Sequence, residues 1–348
     1  MLNKNHHLRS YLVSLVFLLT TPILNAQPTD SAVIVMYHHI GNSTPASTSV
    51  TLAQFDAHLD YLAEQQFNVW PLSKLVRQLQ NKQPIPPKTV VLTADDAYIS
   101  IYTEAYPRLK ARNWPMTIFV NSEPIDKRYG NFMTWQQMRD MQEDGFEFAN
   151  HTHTHDKMRP KPDESIAAMQ QRIRQEIDTT QQRLQQELGA NINTNPPLFA
   201  YPYGEYSESA ADYIQQLGYI AVAQVSGAVD ANSDFRALQR FPMAVNFAKI
   251  EDFRLKVNTK PLPIQQQTPW DPLVRDNPPT LKLSLKYSIK QLACYNSRGE
   301  PLKMNWLSDT EVEMQSSHAL KSPRDRYACT APDKDRRWYW FGHLWIID

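Results

Sequence analysis

From Ala32 to Ala223 short apolar runs alternate with amphipathic stretches, and that alternation restricts the fold more than any other feature of the chain. Ala32–Tyr37, Thr89–Thr93, Met116–Val120, Phe146–Ala149, Leu198–Tyr201 and Ile220–Ala223 are brief and rich in β-branched or aromatic residues, so they read as buried strands. Between them Leu52–Gln65, Ser73–Gln80, Tyr102–Ala111, Thr134–Glu143, Ile166–Leu188 and Glu208–Leu217 read as helices. In the first of these Leu52, Phe55, Leu59 and Leu62 fall on one stripe. Strands that alternate with helices run parallel under an outer helical layer, which leaves an α/β barrel or a doubly wound sheet. In a barrel the chemistry sits at the C-terminal ends of the strands.

The pattern changes after residue 262. Residues 263–279 are rich in Pro and Gln and read as a linker. Thr280–Lys290 then alternates Leu281, Leu283, Leu285, Tyr287 and Ile289 with polar residues, the signature of a half-buried strand, and residues 280–348 read as a small β-rich module. Cys294 and Cys329 lie in that module and predict a disulfide in an oxidising compartment, the alternative being two free structural thiols. Trp338, Tyr339, Trp340 and Trp345 have two readings, sugar-stacking rings or core of the module.

The N-terminus predicts that compartment. Lys4 and Arg9 precede an apolar stretch, Tyr11–Leu24, and the small residue Ala26 offers a cleavage point, so residues 1–26 read as a signal peptide and residues 27–262 as the main domain. The alternative is an uncleaved anchor, but the apolar run is about 14 residues, short of the roughly 20 that span a bilayer. After cleavage no stable membrane span is expected. Lys plus Arg and Asp plus Glu each number 36, and this zero net charge gives no support to a nucleic-acid partner.

Three clusters follow predicted strands. Asp95 and Asp96 are adjacent, and neighbouring carboxylates repel unless a cation or a proton compensates; the bland alternative is a solvated acidic loop. His151, His153 and His155 come next. On a helical turn the four-residue spacing would put the His151 and His155 rings on one face, within reach of one metal ion, with His153 turned away. Tyr201-Pro202-Tyr203-Gly204 forms the third, a turn able to present a backbone N–H to a ligand.

In this order the clusters resemble the polysaccharide deacetylase (NodB-homology, carbohydrate esterase family 4) pattern, an acidic pair, then His-Ser/Thr-x-x-His, then a Pro-Tyr-Gly turn. Tyr37-His38-His39-Ile40, Thr134-Trp135-Gln136-Gln137 and Gly145-Phe146-Glu147 add to the likeness, which covers about residues 32–250 and is nearest to the exported poly-N-acetylglucosamine deacetylase-like branch. The resemblance implies a distorted (β/α) barrel and metal-dependent removal of acetyl groups from a polysaccharide in the periplasm or outside the cell. N-deacetylation of an N-acetylglucosamine polymer is the leading expectation; O-deacetylation of a glycan, or glycan binding without catalysis, are the alternatives. It implies that Asp96, His151 and His155 bind one divalent ion, Zn²⁺ or else Co²⁺ or Ni²⁺. It further implies Asp95 as general base and the Tyr203 N–H as an oxyanion donor.

The chain departs from the pattern in three places. Ala94 and Ala97 flank the acidic pair where an aromatic and a glycine are usual. The arginine that orients the base is missing from the third motif, and Arg240 is the candidate replacement. No Leu-x-His follows residue 204 in the main domain to supply a general acid, and His38 or His39 are candidate substitutes.

Overall fold

The computed structural model describes residues 1–2, 31–42, 44–189, 195–335 and 337–347. The expected signal peptide lies almost wholly outside the described residues. Among the described residues no helix is long and apolar enough to cross a membrane.

Six parallel strands form the main sheet: β1 (Ser31–Tyr37), β2 (Thr89–Ala94), β3 (Thr117–Val120), β4 (Glu147–Asn150), β5 (Leu198–Ala200) and β6 (Ile220–Val222). Their order in the sheet is their order in the chain. A doubly wound sheet would reverse order at a switch point, so the sequential order selects the barrel. The segment from Phe235 to Pro242 joins the two edges. Ala221 and Ala223 N–H groups donate to Phe235 and Leu238 carbonyls on the β6 side, while Phe241–Pro242 pairs in parallel with Val35 and Met36 of β1. Sequence periodicity gave no sign of this closing segment, nor of the short strand Asn68–Trp70 beside β2.

Outer residues of the strands, such as Val33, Val35, Val90, Leu92, Ile118 and Phe148, pack with Phe55 and Leu59 of α1 (Leu52–Glu64) and with the helices that follow. Thr51 caps α1 through a reciprocal capping box with Gln54, which fixes where the helix starts. Inner residues Ile34, Val91, Phe119, Ala149, Ala200, Val222 and Leu238 form a second core. Leu72, Leu75, Val76 and Leu79 of α2 (Leu72–Gln80) complete it. Hydrogen bonds from the Leu72 N–H to Thr117 and from Ser73 to Glu147 hold α2 at the N-terminal ends of β3 and β4, closing the bottom of the barrel.

Seven further strands form two four-stranded sheets with the aid of Lys260–Pro261. They are β7 (Ile264–Thr268), β8 (Thr280–Leu285), β9 (Ala293–Asn296), β10 (Lys303–Trp306), β11 (Glu311–Gln315), β12 (Arg324–Pro332) and β13 (Trp338–Ile346). Part of the segment read as a linker is therefore ordered sheet: β7 pairs antiparallel with β8, its backbone groups satisfied in the ladder. Lys260–Pro261 pairs with Tyr339–Trp340. Cys294 and Cys329 face each other across β9 and β12 and are disulfide-bonded. The terminal aromatics largely serve packing. Trp345 is fully buried with Tyr327 between the sheets, and Trp340 packs edge-on to Phe241 of the barrel. Trp338 alone of these four is exposed, and Tyr339 and Trp340 are half-buried.

Candidate active site

The inward register of the barrel assembles the site. His38 lies four residues beyond Ile34, Asp95 four beyond Val91, His151 two beyond Ala149 and Arg240 two beyond Leu238. Even spacing returns each side chain to the face of its inward neighbour, one layer higher, at the C-terminal end. The Phe119 ring floors this layer, with the Arg240 guanidinium 5.3 Å and the His151 ring 6.5 Å from its centroid.

Asp95 and Arg240 are both fully buried and form a two-pronged pair, Nη1 to Oδ1 at 2.7 Å and Nη2 to Oδ2 at 2.8 Å. Arg240 is itself fixed by donating from Nε to the Ala223 carbonyl and from Nη1 to Thr93 Oγ1. Burial would raise the Asp95 pKa, but the guanidinium outweighs it and holds the carboxyl below its usual value. The carboxylate is thus ionised and held in one orientation.

Asp96 turns the other way, its backbone left-handed at φ 71°. His151 Nε2 approaches its Oδ1 to 3.4 Å and His155 Nε2 to 3.1 Å. One ligand atom from each of the three residues lies within 4.8 Å of the others. His151 donates from Nδ1 to the Ala200 carbonyl at 2.8 Å, which leaves the Nε2 lone pair of the neutral ring facing the carboxylate. Neither Asp96 Oδ1 nor His151 Nε2 has a hydrogen-bond partner. Buried polar atoms are rarely left so, and a cation between them would satisfy all three lone pairs at once. One carboxylate oxygen and two imidazole nitrogens suit a divalent ion with room for a further ligand.

The histidine segment is a loop and not the helical turn that its spacing suggested. Thr152 and His155 have φ of 69° and 64°, and the Thr152 N–H donates to the Asn150 carboxamide oxygen, which shapes the bend. A helix needs negative φ at every residue, so it is the loop that brings the two rings together. Their centroids lie 4.9 Å apart. His153 does point away, to Ser122 Oγ at 2.8 Å.

Tyr203 sits at φ 57°, ψ 3°, its ring edge-on to His155 at 4.3 Å. His38 is close enough to Asp95, Asp96, Arg240 and His151 to interact with each; burial lowers its pKa while the two aspartates oppose that shift. His39 instead stacks on Tyr98 at 3.7 Å, and burial brings its pKa down to about 4. The Tyr98 hydroxyl is pushed up by burial and by the neighbouring Asp96. Sequence reasoning assigned nothing to Tyr98, although it sits two residues past the acidic pair. Glu205 was also missed, since nothing in the pattern signals a buried carboxylate one residue beyond the turn.

Residues 82–222 match the family model described as polysaccharide deacetylase. Over those residues the chain is similar to the polysaccharide deacetylases. It is also similar to the poly-beta-1,6-N-acetyl-D-glucosamine N-deacetylase of Escherichia coli (strain K12), 23% identical over 278 residues that cover 70% of this chain and 40% of that protein. The putative polysaccharide deacetylase YxkH of Bacillus subtilis (strain 168) is 26% identical over 212 residues, covering 60% of this chain and 69% of that one. The chain therefore spans well under half the length of the first of these relatives. Among solved structures, the Streptococcus pyogenes deacetylase PplD in complex with acetate superposes with a TM-score of 0.58 at 25% identity, over 66% of this chain and 99% of that one. IcaB from Ammonifex degensii shares the fold, with a TM-score of 0.55 at 20% identity over 65% and 98% of the two chains.

Proposed function

We propose that the chain is an exported, metal-dependent polysaccharide deacetylase that hydrolyses the N-acetyl groups of an N-acetylglucosamine polymer. The observation that carries this reading is the pair of neighbouring carboxylates in opposite environments, Asp95 clamped by Arg240 and Asp96 facing two imidazoles without a hydrogen bond at Oδ1. The apolar N-terminal stretch and its small residue at Ala26 support export.

Asp96, His151 and His155 would hold the ion, with Zn²⁺ the best match to the donor set and Co²⁺ or Ni²⁺ the alternatives. Bound there, a divalent ion would polarise the acetyl carbonyl and acidify water. Asp95 is held ionised by Arg240 and accepts the proton of the attacking water as its oxygen bonds to the acetyl carbon. Arg240 contributes by orienting the carboxylate and preventing it from rotating away. The Tyr203 N–H donates to the carbonyl oxygen as negative charge develops on it. The C–N bond then breaks, the nitrogen takes a proton, and acetate and a free amine leave. For that proton His38 is favoured over His39, because it faces Asp95 and Asp96 whereas His39 is stacked on Tyr98.

The test is acetate release from an oligomer of N-acetylglucosamine by the purified protein. We expect release that a chelator abolishes and Zn²⁺ or Co²⁺ restores, with one new amine per acetate. Acetate released only from O-acetyl esters would replace the amide substrate by an ester. Binding of the oligomer with no acetate from any glycan would reject catalysis.

A further inference from the structure

The β-rich module reaches the rim of the barrel through Arg324, the first residue of β12. Its Nη1 donates to the Tyr203 carbonyl, and its Nε lies 3.8 Å from Glu205 Oε1. Glu205 is only 2% exposed, and it also receives Lys157 Nζ and Arg159 Nε, each at 3.0 Å. Lys157 and Arg159 follow directly on the loop that carries His151 and His155. One buried carboxylate therefore joins three parts of the protein: the histidine loop, the Tyr203 turn and the C-terminal module.

The turn is held at both ends of a single peptide group. The Gly204 N–H donates to the Tyr201 carbonyl at 2.9 Å, and the Tyr203 carbonyl on the same peptide accepts from Arg324. A second contact supports the same layer. A Cβ on Gly342 of β13 would lie 2.6 Å from Val225 Cγ1 and 2.7 Å from the Ser226 carbonyl oxygen, so only glycine lets β13 approach this loop so closely. Gln239 Nε2 donates to the Gly342 carbonyl at 2.6 Å. The same loop fixes Arg240, through the Ala223 carbonyl to Nε and the Val225 carbonyl to its backbone N–H. On its other side Gly204 packs so tightly on Gln224 that an added Cβ would meet Gln224 Cβ at 2.7 Å.

We infer that Arg324 is a positioning residue that locks the left-handed Tyr203 turn, and that the C-terminal β module is in this way part of the deacetylase active site. The inference rests on the role proposed above for the Tyr203 N–H. An oxyanion donor is useful only while it is held in place before the reaction, so a turn free to change conformation loses part of that advantage. The Arg324 side chain is 37% exposed, so its replacement leaves no buried hole.

The experiment uses the full exported chain loaded with Zn²⁺, comparing wild type, Arg324→Ala and Arg324→Lys. Two quantities are measured: amide hydrogen exchange in a peptide spanning residues 202–206, and kcat and KM on an N-acetylglucosamine oligomer. In Arg324→Ala we expect faster exchange confined to that peptide, an unchanged zinc content, and a kcat lower by about 10-fold with KM within about twofold. Arg324→Lys can still donate to the Tyr203 carbonyl and should recover most of both. Unaltered exchange in Arg324→Ala overturns the lock. Faster exchange with unaltered kcat overturns its bearing on the reaction. If Arg324→Ala fails to fold, a folded Arg324→Lys that recovers neither quantity overturns the inference, and one that recovers both supports it. A wild type that releases no acetate rejects the proposed activity instead, while the exchange comparison still decides the lock.

Discussion

The barrel and the β module are both packed around apolar cores, but they treat polar groups and backbone geometry differently. The C-terminal rim of the barrel buries Asp95, Asp96, His151 and Arg240 together. Its loops hold Asp96, Ala97, Thr152, His155 and Tyr203 at positive φ, whereas Gln291 is the one non-glycine residue at positive φ among the described residues of the module. The module carries instead a disulfide and antiparallel ladders. Residues in the left-handed region cost of order 1 kcal/mol each and persist where the surroundings force them. Six more lie elsewhere in the barrel domain, at Gln66, Lys82, Lys88, Asn113, Arg128 and Asp163, but the five at the rim are the ones that aim side chains into the site.

The contrast can be broken most severely at the rim. His155→Ala should lose bound metal and reduce activity at least about 10³-fold, whereas Asp95→Asn should lose a similar factor while keeping its metal, since Asp95 is not a ligand in the proposed site. Metal analysis beside kcat checks this, and loss of metal in Asp95→Asn would merge the two roles. Next comes Arg240→Leu, which leaves the Asp95 carboxylate buried without its cation. Urea unfolding should show a loss of about 3–5 kcal/mol, and a loss below about 1 kcal/mol would mean that water reaches Asp95. In the module, Cys294→Ala with Cys329→Ala should cost about 3–4 kcal/mol by freeing the unfolded chain, with metal content unchanged. A change in metal content there would show that the staple also acts on the rim.

Acid should weaken both regions through buried neutral histidines. His58 of α1 is buried in the layer outside the barrel strands, donating from Nε2 to the Ala248 carbonyl and accepting at Nδ1 from the Tyr37 hydroxyl, and burial brings its pKa down to about 4. His343 lies in the module against Trp345, with its pKa lowered by burial to about 3. In the unfolded chain both titrate near 6.5, so the folded state binds fewer protons below that pH. Stability from this source is fully present above about pH 6.5 and is lost as pH falls toward 4, by about 3 kcal/mol for His58 alone. A melting temperature that holds constant from pH 7 to 4.5 would contradict this. The smallest effect is expected at Ala97, fully buried at φ 56° where glycine would be at ease. Ala97→Gly should stabilise by up to about 1 kcal/mol in the same urea assay, and destabilisation would show that its methyl packing outweighs the backbone relief.

Much of the rim was legible because it depends on parity and order along single strands. A strand repeats every two residues, so Asp95 beyond Val91 and His151 beyond Ala149 can be assigned to one face from the sequence. The disulfide was legible from two cysteines in a chain expected to be exported. The linker reading met a different fate at Ile264–Thr268, where prolines on either side hid a strand that forms only because β8 is there to pair with it. The aromatic string was read in two ways, and the structure uses Trp345 and Trp340 for packing, the first buried and the second against Phe241.

By itself the sequence determined the parallel α/β alternation, the acidic pair, the two imidazoles and the turn, since these are properties of local period and residue type. Only the tertiary structure decided that the strands close in sequential order and that the histidine segment works as a loop. It alone brought Arg240 onto Asp95 across 145 residues, and Arg324 onto Tyr203 across 121. Contacts so distant in the chain are fixed by how the barrel closes and how the module packs on it, and no local pattern of residues encodes either.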